Sequence, residues 1–368
     1  MIDPADLLPE GLEDRLPHSA AAATRVERAV LDLLDAHGYD RVRPPLVEFE
    51  PAMVRRMTGM HTRHMFRFVD PASLRMLALR SDMTPQVGRI AATGLAHRPR
   101  PLRLCYAGQV ARMVGDMLDP RRENLQLGAE LIGSDGVAAA GEIVELAIAA
   151  LEAAGATGIS VDFTLPDSVD LLATHQSLEE ATARAIRREL DSKDAGALVA
   201  AGGEGFLPLL YASGPFDHAI GRLAEFDTAG ILASRIDGLR QVAARVAGRA
   251  RLTLDPAERH GFGYQSWFGF TLYADGVRGA LGRGGSYQIA GTDDAATGFS
   301  LYPDELVERL AAVEQRRDSL FLPLGHDPAQ ASGARREGWR TISALTADDD
   351  AAALGCTHIM ADGAIRPL

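Results

Sequence analysis

Cysteine is nearly missing from this sequence: Cys105 and Cys356 are the only two in 368 residues. A pair so far apart offers no metal cluster and suits a reducing compartment, so a cytoplasmic chain is expected. No apolar run approaches the roughly 20 residues of a membrane span. The opening MIDPADLLPEGLEDRLP is acidic and lacks the basic-then-apolar order of a secretion signal. Positive charge is also short, with 38 Lys and Arg against 50 Asp and Glu, a net charge of −12. Proteins that grip a nucleic-acid backbone present a basic face that releases counterions. No Lys/Arg cluster interleaved with aromatics occurs here, so neither a nucleic-acid nor a membrane partner is expected. What remains is ordinary for a globular chain, with 46% apolar and 24% charged residues, enough for one large or two ordinary domains.

Cofactor motifs are lacking too. His61, His64, His97 and His260 show no metal-ligand spacing with partner carboxylates. The glycines of GALGRGGSYQ (Gly279, Gly282, Gly284, Gly285) fit neither G-x-G-x-x-G nor the Walker pattern. A tight turn, or close approach of backbone to a ligand, explains them better. No metal or cofactor is expected. Met53, Met57, Met60 and Met65 read as packing or interface residues.

Periodicity sets the organisation. Residues from about Ala20 to Ala36 place Val26, Val30, Leu33 and Leu34 at helical spacing, and Gly38 follows as a stop. RVRPPLVEFEP begins as a strand that Pro44 and Pro45 interrupt, which fits an edge or interface. HMFRFVD, RMLALRSD, RLCYAGQVARM and NLQLGAELIG read as successive strands. AGEIVELAIAALEAAG is a helix ended by Gly155, and ISVDFTL returns to strand. From about Leu165 to Val246 the pattern is mostly helical. RLTLDP and WFGFTLYADG read as strands, and a helix spans about Pro303 to Gln315. After residue 318 come three short strands, in SLFLPLG, RTISAL and THIMAD, separated by two short helical segments. The expected division is a core of residues 1–318 with a helical insertion at about 165–246, then an α/β segment of residues 319–368.

Four segments carry polar residues that a packed strand does not need. LALRSDMTP holds Arg80, Asp82 and Thr84; RLCYAGQVAR ends in Arg112. In ENLQLGAELIG, Leu125, Leu127, Ala129 and Leu131 form an apolar face, and Asn124, Gln126, Gly128 and Glu130 form the other. HGFGYQSWFGF adds Tyr264 and Gln265. A cation, acids, an amide and a phenol together can hold a zwitterionic amino acid, since Arg pairs bidentately with a carboxylate and acids accept from an ammonium group. Each residue taken alone also fits a solvated strand end.

In this order the segments resemble the class II aminoacyl-tRNA synthetase core, and within it histidyl-tRNA synthetase, over roughly residues 5 to 315. GYDRVRPPLVE resembles the class's first motif, a helix and strand at the dimer interface. LALRSDMTP resembles the Leu-Arg-Pro-Glu-x-Thr loop, with Asp82 for Glu and Thr84 kept. RLCYAGQVAR and ENLQLGAELIG resemble the second motif and the following strand. GRGGSY resembles the Gly-Gly-Arg-Tyr turn, with Tyr287 kept. The resemblance implies an α+β fold: an antiparallel sheet flanked by helices, with a helical insertion and a small C-terminal α/β segment. It also implies a histidine site in which Asp82, Thr84 and Gln126 meet the ammonium group and Arg112 the carboxylate. Glu130 and Tyr264 would meet the imidazole, with Gln265 and Tyr287 lining the pocket.

The departures point away from catalysis. The acid of Phe-Arg-x-Glu in the second motif is Val114 here. In the third motif, GFSLYPDEL, Glu305 replaces the Arg that meets the nucleotide phosphates. His260 stands where the histidine-specific run carries its catalytic Arg, with Arg259 one residue away. Removing one preorganised group that stabilises transition-state charge costs about 3–4 kcal/mol, and Arg-to-Glu reverses the charge as well. A kept amino-acid pocket beside a lost nucleotide site resembles the regulatory subunits of short-form ATP phosphoribosyltransferase, which acts first in histidine biosynthesis. That implies a chain without catalysis of its own, a homodimer through the synthetase-like interface, assembled with a catalytic subunit and with histidine as feedback effector. The alternatives are a divergent histidyl-tRNA synthetase or another ATP-dependent amino-acid ligase, and a tRNA- or kinase-associated interaction module.

Overall fold

A computed structural model describes residues 6–55, 65–115, 119–258, 265–313 and 317–368. Arg259, His260, Tyr264, Met57, Met60, His61 and His64 lie outside these residues, and of Gln265 only the backbone is described. The chain divides into two units, Met1–Ala312 and Val313–Leu368.

Helix α1 spans Pro17–Ala36 and buries Val26, Val30 and Leu34. Gly38 ends it at φ +80°, a conformation that glycine adopts at no steric cost. The next segment is two strands rather than one interrupted strand. β1 (Asp40–Arg41) and β2 (Val47–Phe49) belong to different sheets, because Pro44 and Pro45 have no N–H to continue a ladder. After α2 (Glu50–Val54), strands β3 (Arg67–Val69) and β4 (Met76–Leu79) join β2 in a sheet of order β2-β4-β3. Met53 and Met65 pack with Ala78 beneath it.

Helix α3 (Thr84–Ala92) leads to the long antiparallel pair β5 (Leu102–Ala111) and β6 (Glu123–Ile132). Helix α4 (Val137–Ala153) and β7 (Ser160–Thr164) follow. The stretch to residue 246 holds α5 (Ser168–His175), α6 (Glu180–Asp191), α7 (Ala195–Ala200) and α8 (Leu207–Tyr211). It continues with β8 (Gly214–Pro215), α9 (Phe216–Phe226) and α10 (Ala233–Arg245). Then come β9 (Arg251–Leu254), β10 (Gln265–Tyr273), β11 (Gly282–Gln288), β12 (Ala295–Leu301) and α11 (Asp304–Val313).

The main sheet has nine strands in the order β1-β5-β6-β12-β11-β10-β7-β9-β8. It is the expected antiparallel sheet, with parallel pairing only at β1–β5 and β7–β9. The glycine run is not a turn. Only Gly279, at φ +69°, makes one; Gly282, Gly284 and Gly285 sit inside β11. A Cβ on Gly284 would run into the Phe270 ring and the Gly298 carbonyl, so close packing across the sheet excludes larger residues.

One face of the sheet carries the main core, where Leu125, Leu127, Leu131, Phe163, Phe268 and Phe299 pack with residues of α1, α4 and α10. On the other face α3 covers only a small apolar cluster that includes Met83, Leu104, Tyr106 and Tyr287. That lighter cover leaves a polar strip of the sheet free to form a site.

The second unit contains β13 (Ser319–Leu322), α12 (Pro328–Arg336), β14 (Arg340–Ser343), β15 (His358–Ala361) and β16 (Ala364–Pro367). Its order is β14-β13-β15-β16, parallel except for β15–β16. Strand β16 exceeds the three expected, and turns rather than a second helix link β14 to β15. Leu320 and Leu322 pack on Ala331 and Ala334 of α12, whereas Phe321 turns to Ala351 and Cys356.

Candidate amino-acid site

The polar face of β6 is dry. Gln126 and Glu130 are at most 1% exposed, and β5 and β12 flank them, with Leu104 and Gly298 opposite Glu130. Burial at this depth costs an ionised carboxylate several kcal/mol, and two phenols partly offset it. Tyr106 donates to Glu130 Oε1 at 3.1 Å, and Tyr287, from β11, donates to Oε2 at 2.9 Å. A hydrogen bond to a charged group returns only about 1.5–3 kcal/mol. Desolvation wins: burial pushes the Glu130 carboxyl up to about 8 against the two phenols, with Asp82 adding repulsion. In the ligand-free chain Glu130 is therefore largely protonated at neutral pH.

Tyr106 joins the site although the sequence did not mark it. Its hydroxyl lies 3.1 Å from Thr84 Oγ1 and 3.0 Å from Ser300 Oγ, besides reaching Glu130. Gly128 stands opposite Tyr106, and a Cβ there would overlap that ring. The room that Gly128 leaves is thus taken by Tyr106, not kept open for a ligand to lie across the strand.

Gln126 fixes the loop before α3. Its Oε1 accepts from the Met83 amide at 2.9 Å, and Nε2 donates to Asp82 Oδ1 and Ser300 Oγ, each at 2.8 Å. Asp82 Oδ1 also accepts from the Thr84 amide at 2.9 Å. Asp82, Thr84, Glu130 and Tyr287 thus meet around one cavity of about 30 Å³, shared with Arg283, Gly284, Gly285, Gly298, Ser300 and Tyr302.

Two expected or nearby arginines stand elsewhere. Arg112 does not line the cavity; its guanidinium lies 5.4 Å over the ring of Tyr302, which does. Arg80 is 8% exposed and donates to the carbonyls of Gln109 at 2.6 Å and Pro44 at 3.0 Å. It braces β5 to the preceding loop and does not enter the cavity. Arg283 lines the cavity instead, and its place inside the glycine run hid it from sequence reading.

The side that the resemblance would assign to nucleotide carries a web of ion pairs. Arg121 grips Asp119 through Nε at 2.7 Å and Nη2 at 3.0 Å, and the same Nη2 reaches Glu305 Oε1 at 3.1 Å. Asp304, 1% exposed, accepts from the Leu125 amide at 3.2 Å and pairs with Arg15. Val114 is an exposed apolar group. Two acids already surround Arg121, so a phosphate would meet net negative charge there. Among the described residues no group of His, Cys, Asp and Glu is arranged to hold a metal, and no helix is long and apolar enough to cross a membrane.

Comparisons with known proteins bear on the family and the fold. The family model described as histidyl-tRNA synthetase matches residues 11–306. A protein of Rhodospirillum centenum named ATP phosphoribosyltransferase regulatory subunit is 39% identical, over 98% of this chain and 96% of its own. Its namesake in Gluconobacter oxydans is 38% identical, over 99% and 98%. A Bacillus halodurans structure titled as an ATP phosphoribosyltransferase regulatory subunit/histidyl-tRNA synthetase superposes with a TM-score of 0.82 at 24% identity, over 96% of this chain and 97% of the other. Histidyl-tRNA synthetase from Nostoc sp. gives 0.78 at 15% identity, over 98% and 91%. These two likenesses establish the fold.

Proposed function

The chain belongs to the ATP phosphoribosyltransferase regulatory subunits, a family on the histidyl-tRNA synthetase fold, and we propose that it acts by binding histidine in the Glu130 pocket. It is the non-catalytic partner in an enzyme complex whose phosphoribosyl transfer takes place on another chain. The observation that carries the reading is a contrast on one sheet face. Asp82, Thr84, Gln126, Glu130 and Tyr287 form a connected polar site, whereas Arg121, on the side that the resemblance gives to nucleotide, is already held by Asp119 and Glu305.

Histidine would be read by complementary charge. Asp82 and the Thr84 hydroxyl suit its ammonium group, and Glu130 with Tyr287 suits the imidazole. An imidazolium beside Glu130 would pull the carboxyl back down and release its proton. Feedback requires that histidine bind two assembly states unequally, because only such a differential lets an effector shift an equilibrium. A coupling of about 1–3 kcal/mol to the catalytic partner suffices for feedback. A homodimer through the β1–β2 region completes the proposed assembly.

The test is reconstitution with the phosphoribosyltransferase catalytic subunit. Co-elution, faster transfer in the presence of this chain and loss of that gain on adding histidine are expected. Failure to associate, or robust ATP–pyrophosphate exchange by this chain with histidine, would sink the reading in favour of a synthetase-like ligase.

A further inference from the structure

Two ends of the pocket meet at a single hydroxyl. Tyr106 sits in β5 with none of its surface exposed, and a side chain at Gly128 would overlap its ring. Its hydroxyl lies 3.1 Å from Glu130 Oε1, 3.1 Å from Thr84 Oγ1 and 3.0 Å from Ser300 Oγ. Tyr106 does not line the cavity, whereas all three of those partners do, so it acts through them. A phenol has one proton to give and otherwise accepts through its oxygen. We propose that Tyr106 is a positioning residue that makes Thr84 an acceptor for the ligand's ammonium group when Glu130 is ionised at the imidazole end. The proposal rests on the histidine reading above and adds how the two ends of the site are coupled.

The direction of each bond follows from its neighbours. An ionised carboxylate only accepts, so Tyr106 gives Glu130 its one proton. Its oxygen is then an acceptor alone, and Thr84 and Ser300 are both left to donate to it. The Ser300 end is prepared for that part. The Met83 amide donates to Gln126 Oε1, which turns Gln126 Nε2 toward Ser300 Oγ. Ser300 accepts there and keeps its own proton for Tyr106. Thr84, its proton spent on Tyr106, retains acceptor capacity alone and lines the cavity beside Asp82. Two acceptors then stand ready for one ammonium group. Were Glu130 protonated, the Tyr106 proton would be free to turn to Thr84, and the Thr84 proton would oppose the ammonium group. A ligand that ionises Glu130 thereby prepares the other end of its own site.

Calorimetry on the full chain with histidine and with imidazolepropionate, which lacks the ammonium group, reads this coupling. Tyr106→Phe should lower the preference for histidine about 3- to 10-fold, the worth of one hydrogen bond. Thr84→Val should lower it by a similar factor, and Thr84→Ser should keep it. The double variant Tyr106→Phe/Thr84→Val should lose no more than about twofold beyond Thr84→Val, because the two residues act as one unit. Equal affinity of the wild type for both compounds, an equal loss for both in Tyr106→Phe, or factors that multiply in the double variant would overturn the coupling while leaving histidine binding in place. A wild-type chain that binds neither compound would overturn the histidine reading together with it.

Discussion

Tyr287 donates its phenolic proton to Glu130 at 2.9 Å across the intervening strand β12. The bond joins two distant stretches of sequence, and among the described residues no cation is hydrogen-bonded to the carboxyl. Burial consequently holds the Glu130 carboxyl well above the ordinary carboxylate range, at about 8.

This state makes stability depend on pH. The folded value of about 8 lies above the ordinary carboxyl value of 4.5. The contribution of Glu130 is therefore fully present below about pH 4.5 and is lost as pH rises through about 8. Glu130→Gln removes that dependence. Denaturant unfolding of both proteins should show the variant gaining roughly 2–4 kcal/mol on wild type between about pH 5 and pH 8.5. An unchanged difference across that window would mean that the carboxyl is ionised throughout.

Gly298 is required by the same carboxyl. A Cβ there would overlap Glu130 Oε2 and lie 2.7 Å from the Ala129 carbonyl. Gly298→Ala should cost about 1–3 kcal/mol in denaturant unfolding, as overpacking does, and weaken histidine binding by displacing Glu130. A variant as stable as wild type, with unchanged affinity, would show that the strands separate without penalty.

The ion pairs around Arg121 give an expectation for nucleotide. A ligand at about 100 times its Kd adds about 2.7 kcal/mol of stability, which raises Tm by several degrees. Magnesium ATP at millimolar concentration, with histidine present, should leave Tm unchanged. An upward shift of a few degrees would show that the phosphates are accepted despite Glu305.

Much of this site was legible in the sequence, and the omissions have physical causes. The alternation in ENLQLGAELIG is that of a strand with one apolar face, and the structure buries its polar face as well. Strands β11 and β12 were missed because Gly282, Gly284, Gly285 and Gly298 read locally as turn residues. Their lack of side chains is instead what lets neighbouring strands bring Phe270 and Glu130 into place. Arg283 was overlooked for the same reason. Tyr106 had one usable clue, a glycine at the cross-strand position, but that pairing is visible only once the β5–β6 register is known. The split of β1 from β2 was half legible: two prolines forecast an interruption, not a change of sheet.

The central claim is that this face still recognises histidine, with Glu130 at its centre, and the most direct measurement is a calorimetric titration of histidine into the chain and into Glu130→Ala. The account predicts saturable binding at one site per chain, weakened in the variant by about 2–5 kcal/mol. No binding to wild type, or equal affinity in the two proteins, would contradict it.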